Sequence, residues 1–475
     1  MQITRKLLLL GSIIFVTGCG DWLHTPLPFP TPAQHDLIVL TSPGVLSYVT
    51  DEEGTKSGLE HDLVEAFALE LGVAVKYIVV PPEQIAPKLA AGQAHLAAAW
   101  LSPSTGTNLK STPPLATTHD LLVQHEASLP LSEKAELSGR TVHVMAGSRQ
   151  AVTMQRLSRE IPDLKIIEEK SGDLITLLEA VGNRQVELAV IDSGMEDIAN
   201  QFVPSMRATL TLSDEQPIVW LLGQNPNSEL QARTGEFIER AQRDGTMARL
   251  EDRYFGHARR LNQADIVKFL GQIETTLPKL RKMFQAAQTV SGIDWRLIAA
   301  VAYQESHWDS NATSPTGVRG IMMLTEETAD RLNVSNRLDP KESIPAGAKY
   351  INLLKDALPH ETKEPDRTWL ALAAYNIGPG HFNAARTIAK QLGADPLAWY
   401  EMKRILPLLA KPKYYERLKS GRARGGEAVI LVENIRSYYD ILVRHESPYQ
   451  SATAHMEKLG TSQGNGGLGL KLKRQ

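Results

Sequence analysis

The hydrophobic pattern of this chain changes period once, near residue 260. Before that point, apolar runs at residues 37–40, 73–80, 141–145 and 187–191 alternate with helical stretches such as 61–71, as in a wound α/β sheet. Beyond it, apolar residues recur at helical spacing: residues 266–274 and 277–290 lead into a helix that opens after Asp294, and nearly all the rest reads as helix. A chain of 475 residues also exceeds what one core organises. Two domains are therefore expected, an α/β unit over residues 36–267 and a mainly α unit over 268–450. The polar, charged stretch after Gly256 reads as the boundary. Charged residues make up 22% and the formal net charge is only -3, which fits an ordinary globular interior and carries no nucleic-acid signal.

The first residues address the chain. Arg5 and Lys6 precede an apolar run at 7–16, long enough for a signal core but short of the ~20 residues of a spanning helix. Residues 1–18 therefore read as a signal peptide, and the ending Val16-Thr17-Gly18-Cys19 resembles the lipobox of bacterial lipoproteins. That resemblance implies a lipidated Cys19 as the mature N-terminus. The alternative is an incidental Cys in a signal core cut elsewhere. Cys19 is the sole cysteine, so no intramolecular disulfide can form. Gly20 follows it, and by resemblance to sorting patterns the absence of Asp there favours the outer membrane, facing the periplasm. A second lipid signal makes such anchoring stable, since one chain binds only marginally.

Residues 19–35 complete the leader with a Pro-rich stretch at 25–32, which reads as an extended spacer or, alternatively, as a ligand for a partner domain. The tail, 451–475, is Gly-, Ser- and Lys-rich and reads as flexible, with attraction to anionic wall or lipid as a second reading. His119, His125, His143 and His257 lack metal-ligand spacing and no Gly-rich loop suits a phosphate. Neither a metal nor a cofactor is expected.

Candidate chemistry concentrates in the second half. Asp294 suits an N-cap, and Leu297, Val301 and Glu305 follow at intervals of four, on one helical face. A carboxyl on that apolar side loses hydration, which lifts its pKa from about 4.3 towards roughly 6, as a general acid requires. Taken alone, a Glu near a helix end turns to solvent or caps a neighbour. Gly317 and Gly320 bracket a tight loop ahead of Ile321-Met322-Met323-Leu324, allowing backbone to approach a ligand. Taken alone, these apolar residues are simply buried. A helix from Trp369 enters the core and carries Tyr375 and Asn376, and Gly378-Pro379-Gly380 stops it.

The run from Glu305-Ser306 through Ser314 to Gly320-Ile-Met-Met-Leu324, with Ala374-Tyr375-Asn376 behind it, resembles the signature of lytic transglycosylases with the goose-type lysozyme fold. The resemblance covers residues 294–439 and implies a mainly α lysozyme-like domain that cleaves the MurNAc-GlcNAc β-1,4 bond of peptidoglycan. It implies Glu305 as the catalytic acid/base and Ser314 as the group that orients the substrate's N-acetyl. Met323, Tyr375, Asn376 and Tyr438 then belong to the substrate site or its support. Met323 departs from the usual Gln, exchanging an amide for a flexible apolar group. A Met there is familiar in the membrane-bound F type, the nearest resemblance once the first domain is included.

Glycosidic cleavage needs a proton for the departing oxygen and stabilisation of an oxocarbenium-like centre, usually from a second carboxylate. The motifs hold no clear second one. Asp309 lies in the Asp-Ser-Asn run that ends the helix, where turn chemistry is its expected work. Without it, the substrate's own N-acetyl can stabilise the centre. Glu305 would act as acid and then as base on the sugar's 6-hydroxyl, leaving 1,6-anhydro ends, as the resemblance implies.

The first domain resembles two-lobed periplasmic solute-binding proteins of the amino-acid-binding type, through residues 58–63, 139–148 and 244–256. Such binders clamp a carboxylate with an Arg, yet residues 100–108 contain none. Asp192 stands at a strand end where relatives hold a ligand amine, and an Asp there is equally a helix cap. A peptide or muropeptide reporting wall turnover is expected rather than a free amino acid, and its binding would bias catalysis if closure alters the cleft. Three readings follow: a lipid-anchored lytic transglycosylase with a regulatory binding domain, a glycan-gripping sensor without cleavage, and a hydrolase of the lysozyme kind.

Overall fold

The computed structural model describes residues 27–31, 35–51, 54–103 and 108–450. The signal segment, the lipid-anchor reading at Cys19 and the tail 451–475 lie outside the described residues. Among the described residues, no helix is long and apolar enough to cross a membrane.

The α/β half is built on two sheets. In the first, the order runs Val75–Val79, Leu37–Thr41, Leu96–Leu101, Gln216–Leu222 and Lys110–Ser111, with Ala116–Thr118 also pairing to Gln216–Leu222. Its first three strands are parallel and Gln216–Leu222 is antiparallel. The second runs Lys165–Glu169, Thr141–Met145, Leu188–Asp192, Asp120–His125 and Met206–Thr211. The chain leaves the first sheet after Thr118 and returns from the second between Thr211 and Gln216. Two crossings make two lobes joined by a pair of adjacent segments, an arrangement in which a few residues can absorb a hinge rotation.

Each lobe encloses its own core. Phe67, Trp220 and Phe237 are buried and mutually stacked in the first, and Val142, Val144, Leu188 and Val190 fill one face of the second. The helix foreseen over 61–71 spans Leu59–Leu71 and ends on Gly72, whose φ of 71° is open to glycine at little cost. The Pro-rich leader is not a free spacer where it is described: Pro28 O accepts from His95 Nε2 at 3.0 Å, and Phe29 packs on the first lobe's core.

The second half is helical. Asp294 caps Trp295–Ser306 by accepting from Arg296 N at 2.8 Å, as its position predicts. Phe269, Phe284, Trp295, Ile298 and Trp399 are all buried in one core. Through that core runs the 21-residue helix Gly425–His445, packed along Trp295–Ser306.

The stretch after Gly256, read from its composition as the boundary, is anchored by contacts of its first residue to the Gly425–His445 helix. His257 is 4% exposed, its Nε2 meets Asp440, and its carbonyl accepts from Ser437 Oγ at 2.9 Å. Arg436 donates to the carbonyls of Asp252 and Arg253, Lys403 pairs with Asp252, and Arg444 reaches Glu179 and Asp173 in the second lobe. Within the stretch itself, His257 faces the Gly425–His445 helix, a partner distant in sequence, while Arg259 pairs with Asp197 and Gln263 donates to Pro204 O at 2.8 Å.

Candidate active site

Glu305 ends its helix in the last turn, and the chain then swings away through two left-handed residues, His307 at φ 52° and Trp308 at φ 62°. Non-glycine residues rarely hold this backbone. Trp308 Nε1 donates to Ala299 O at 2.8 Å and the ring is 4% exposed, so burial secures the turn. Glu305 is half-buried. Burial nonetheless pushes its pKa up to about 8, with no neighbouring charge contributing. Both observations fit a carboxyl walled by protein on its flanks and open along one edge. Such a group carries its proton at neutral pH and can deliver it.

The loop opposite is held by the motif residues themselves. Ser306 Oγ lies 2.9 Å from Ile321 O, and Tyr375 Oη donates to the next carbonyl, Met322 O, at 2.6 Å. Two hydroxyls from two helices thus grip consecutive peptides. Tyr375 is half-buried, and its hydroxyl pKa is raised well above normal by burial and then by the charge of Glu305.

Gly320 carries the turn at φ 82°, and a Cβ there would lie 1.7 Å from Arg337 O. Met323 follows at φ 47°, half-buried, an unusual backbone for a long side chain. Gly347 is equally constrained, since its Cβ would meet the Met322 side chain at 2.5 Å. Ser314 is half-buried, and its Oγ accepts from Thr316 N and Val318 N at 3.2 Å each while facing Thr316 Oγ1 at 2.9 Å. It builds the turn: with two N–H groups donating to its oxygen, its own proton is directed to Thr316 Oγ1. Asn376 is exposed at the end of the Tyr375 helix.

Tyr438 stands apart from this group. It is 5% exposed and stacks on Phe269 and Tyr303 at 4.6 and 4.8 Å. Tyr303 and Glu305 are two residues apart and so face roughly opposite sides of their helix. Asp309 accepts from Asn311 N at 2.9 Å, the turn work expected of it.

Two residues escaped sequence reasoning. Ser306 was visible only as the neighbour of Glu305. Arg337 gave no signal, yet its Nη1 donates to Gly317 O and Leu324 O at 3.0 and 3.1 Å and so closes both ends of the loop. Among the described residues, no group of three or more His, Cys, Asp or Glu is placed to hold a metal.

Between the lobes of the α/β half, Asp192 is fully occupied. Its Oδ1 accepts from Thr118 Oγ1 and Gly194 N, and its Oδ2 accepts from Arg149 Nη2 at 2.6 Å and Trp100 Nε1 at 3.1 Å. The contact to Gly194 is the helix cap foreseen as the alternative role. Arg149 also pairs with Asp120 at 2.9 Å and is 11% exposed. It is the guanidinium that residues 100–108 lack, supplied from the second lobe instead. Trp100, from the first lobe, holds φ 54° and donates its backbone N–H to Glu60, whose complete burial pushes its pKa up to about 8.

Residues 37–257 match the family model of bacterial extracellular solute-binding proteins, family 3, and residues 282–397 match that of the transglycosylase SLT domain. Tyr438 lies beyond the second match. The chain is 40% identical over 443 residues to membrane-bound lytic murein transglycosylase F of Nitrosospira multiformis, covering 92% of each. It is 41% identical over 449 residues to the protein of that name from Methylobacillus flagellatus, covering 93% of this chain and 94% of that one. The protein of that name from Thiobacillus denitrificans is 42% identical over 430 residues, with 89% and 91% covered.

Proposed function

This chain belongs to the family of membrane-bound lytic murein transglycosylase F, and on that premise we propose that it cleaves the MurNAc-GlcNAc β-1,4 bond of peptidoglycan without water, leaving 1,6-anhydro-MurNAc ends. The observation that carries the reading is Glu305: a carboxyl raised to about 8 by burial alone, beside Tyr375 and with no second carboxylate acting on it.

Glu305 enters the reaction protonated. It gives its proton to the glycosidic oxygen as the bond from C1 breaks, and the substrate's N-acetyl oxygen closes on C1. The carboxylate left behind sits in the same poorly solvated place and is a stronger base for it. It takes the proton of the sugar's 6-hydroxyl as O6 bonds to C1 and the N-acetyl is released. Protons balance, and Glu305 returns to its starting form. Ser314 orients the N-acetyl group, its hydroxyl proton turning from Thr316 Oγ1 to the substrate. Tyr375 holds the wall through Met322 O, and Met323 and Asn376 face sugar. Tyr438 supports the Glu305 helix from behind.

The solute-binding half serves as a regulatory domain. Because Asp192 is saturated by Arg149 and Trp100, a ligand must displace protein donors, which suits a muropeptide or peptide with several contacts better than a free amino acid. Cys19 anchors the chain to the outer membrane, facing the periplasm.

Digestion of purified peptidoglycan with a form starting after Cys19 tests the reading. Products one water lighter than hydrolytic ends are expected, and Glu305→Gln should abolish cleavage while sparing binding. Reducing ends would assign a hydrolase, and cleavage by Glu305→Gln near the wild-type rate would remove that residue from its role.

A further inference from the structure

Residues 411–424 concentrate charge as no other part of the catalytic half does. Lys411, Lys413, Arg417, Lys419, Arg422 and Arg424 are all exposed, against the single carboxylate of Glu416. The local charge is thus +5 in a chain whose formal total is -3. Among the described residues, only Arg424 of the six has an ion-pair partner, Glu427 at 3.3 Å, and both are well exposed. Lys413 lies over the Tyr414 ring at 5.6 Å. A solvated basic face is commonplace, so position must decide whether this one has a use.

The segment is seated firmly and next to the cleft. Tyr414 and Leu418 pack against the helical core, and Ala423 N donates to Leu409 O at 3.2 Å. Gly425 lies so close beneath that a Cβ would be 1.9 Å from Leu406 O. His381 fastens the segment to the Tyr375 helix: its Nε2 lies 2.7 Å from Ser420 O and its Nδ1 3.1 Å from Ile377 O, two residues beyond Tyr375. The outward cations therefore flank the end of the helix that walls the site of Glu305. Like charges so spaced repel one another, and an anionic partner relieves the repulsion.

We propose that residues 411–424 form a docking surface for the carboxylates of peptidoglycan peptide stems, so that the enzyme engages the stems flanking the bond it cuts. Peptidoglycan sugars are uncharged at this surface's reach, whereas the stems carry free carboxylates; charge complementarity therefore selects the stem. An anionic lipid headgroup offers the same charge, but the anchorage beside Tyr375 ties the surface to the cleft. The inference rests on the cleavage proposed above.

The test compares the full protein with a Lys413→Glu, Arg417→Glu, Lys419→Glu variant on two substrates, intact sacculi and sacculi whose stem carboxylates are capped as methylamides by carbodiimide coupling with methylamine. Three exposed pairs, each contributing a few-fold, give about a tenfold rise in KM on sacculi with kcat retained, weaker at high salt. On capped sacculi the variant should match wild type. Lys413→Arg, Arg417→Lys, Lys419→Arg, which keeps the charge, should behave as wild type on both. Equal loss on both substrates, or none on either, would overturn the proposal. So would loss confined to binding of phosphatidylglycerol vesicles with sacculus cleavage intact, which would assign the surface to the membrane. Failure of wild type on both substrates would instead sink the cleavage reading itself.

Discussion

Replacing Glu305 by a group of the same shape that cannot ionise should make the protein more stable as well as inactive, by an amount set by pH. An ordinary glutamate ionises near 4.5, and Glu305 near 8. Below 4.5 both folded and unfolded chains hold the proton, and its stabilising effect is fully present. Between the two values the folded state binds more protons than the unfolded one, so stability falls as pH rises until Glu305 ionises in place. Each pH step within the window forfeits about 1.4 kcal/mol, and by pH 7 the ceiling is on the order of 3 kcal/mol. Glu305→Gln keeps the shape of the protonated acid and cannot ionise, so it recovers this loss. Thermal melts from pH 4 to 8 should show no gain at pH 4 and a gap growing towards pH 7. At roughly 2–4 °C per kcal/mol the ceiling is about 6–12 °C. The wild-type rate should fall above about pH 8, as the acid loses its proton. Superimposed melts across the range, or a gap independent of pH, would refute burial as the source of the shift.

Three further outcomes follow from the same geometry. Tyr375→Phe removes the bond to Met322 O and leaves a buried carbonyl unpaired, so kcat should fall roughly 10- to 100-fold at about 1–3 kcal/mol; an unchanged kcat in a steady-state assay would deny Tyr375 that work. Gly320→Ala combines a φ of 82° with a 1.7 Å clash against Arg337 O and should lower stability by more than ~3 kcal/mol in urea unfolding, whereas Gly317→Ala, with open space around its Cβ, should lower it by only about 1–2 kcal/mol. Arg436→Met strips the buried Glu433 of an ion-pair partner at 2.8 Å, and a loss of about 3–5 kcal/mol is expected in the same unfolding assay; a neutral result would show that Lys403 alone suffices.

Much of the fold was legible because its signals are local. Strands at 37–40 and 187–191 and the helix after Asp294 announce themselves through side-chain period and caps, which neighbouring residues decide. The carboxyl of Glu305 was legible for the same reason, since Leu297 and Val301 mark its face. Ser314 was legible only through the resemblance, by its spacing from Glu305, and not as the acceptor of two backbone N–H groups. Arg337 and Gly347 were not legible at all, because what they brace is folded against them only in three dimensions. The stretch after Gly256 was legible as a boundary, but not the packing of His257 on Asp440 and Ser437, about 180 residues further on.

By itself, then, the sequence determined the two architectures and set Glu305 on an apolar helical face, since periodicity is a property of contiguous chain; its role as the acid comes from the family resemblance. Tertiary structure alone decided the rest. It set Tyr375 against Glu305 while turning Tyr438 to the far side of the helix, and it filled Asp192 with Arg149 and Trp100. It also joined the domains through one long helix. Each of these depends on burial and hydrogen bonding between distant segments, and such contacts leave no period in the sequence to be read.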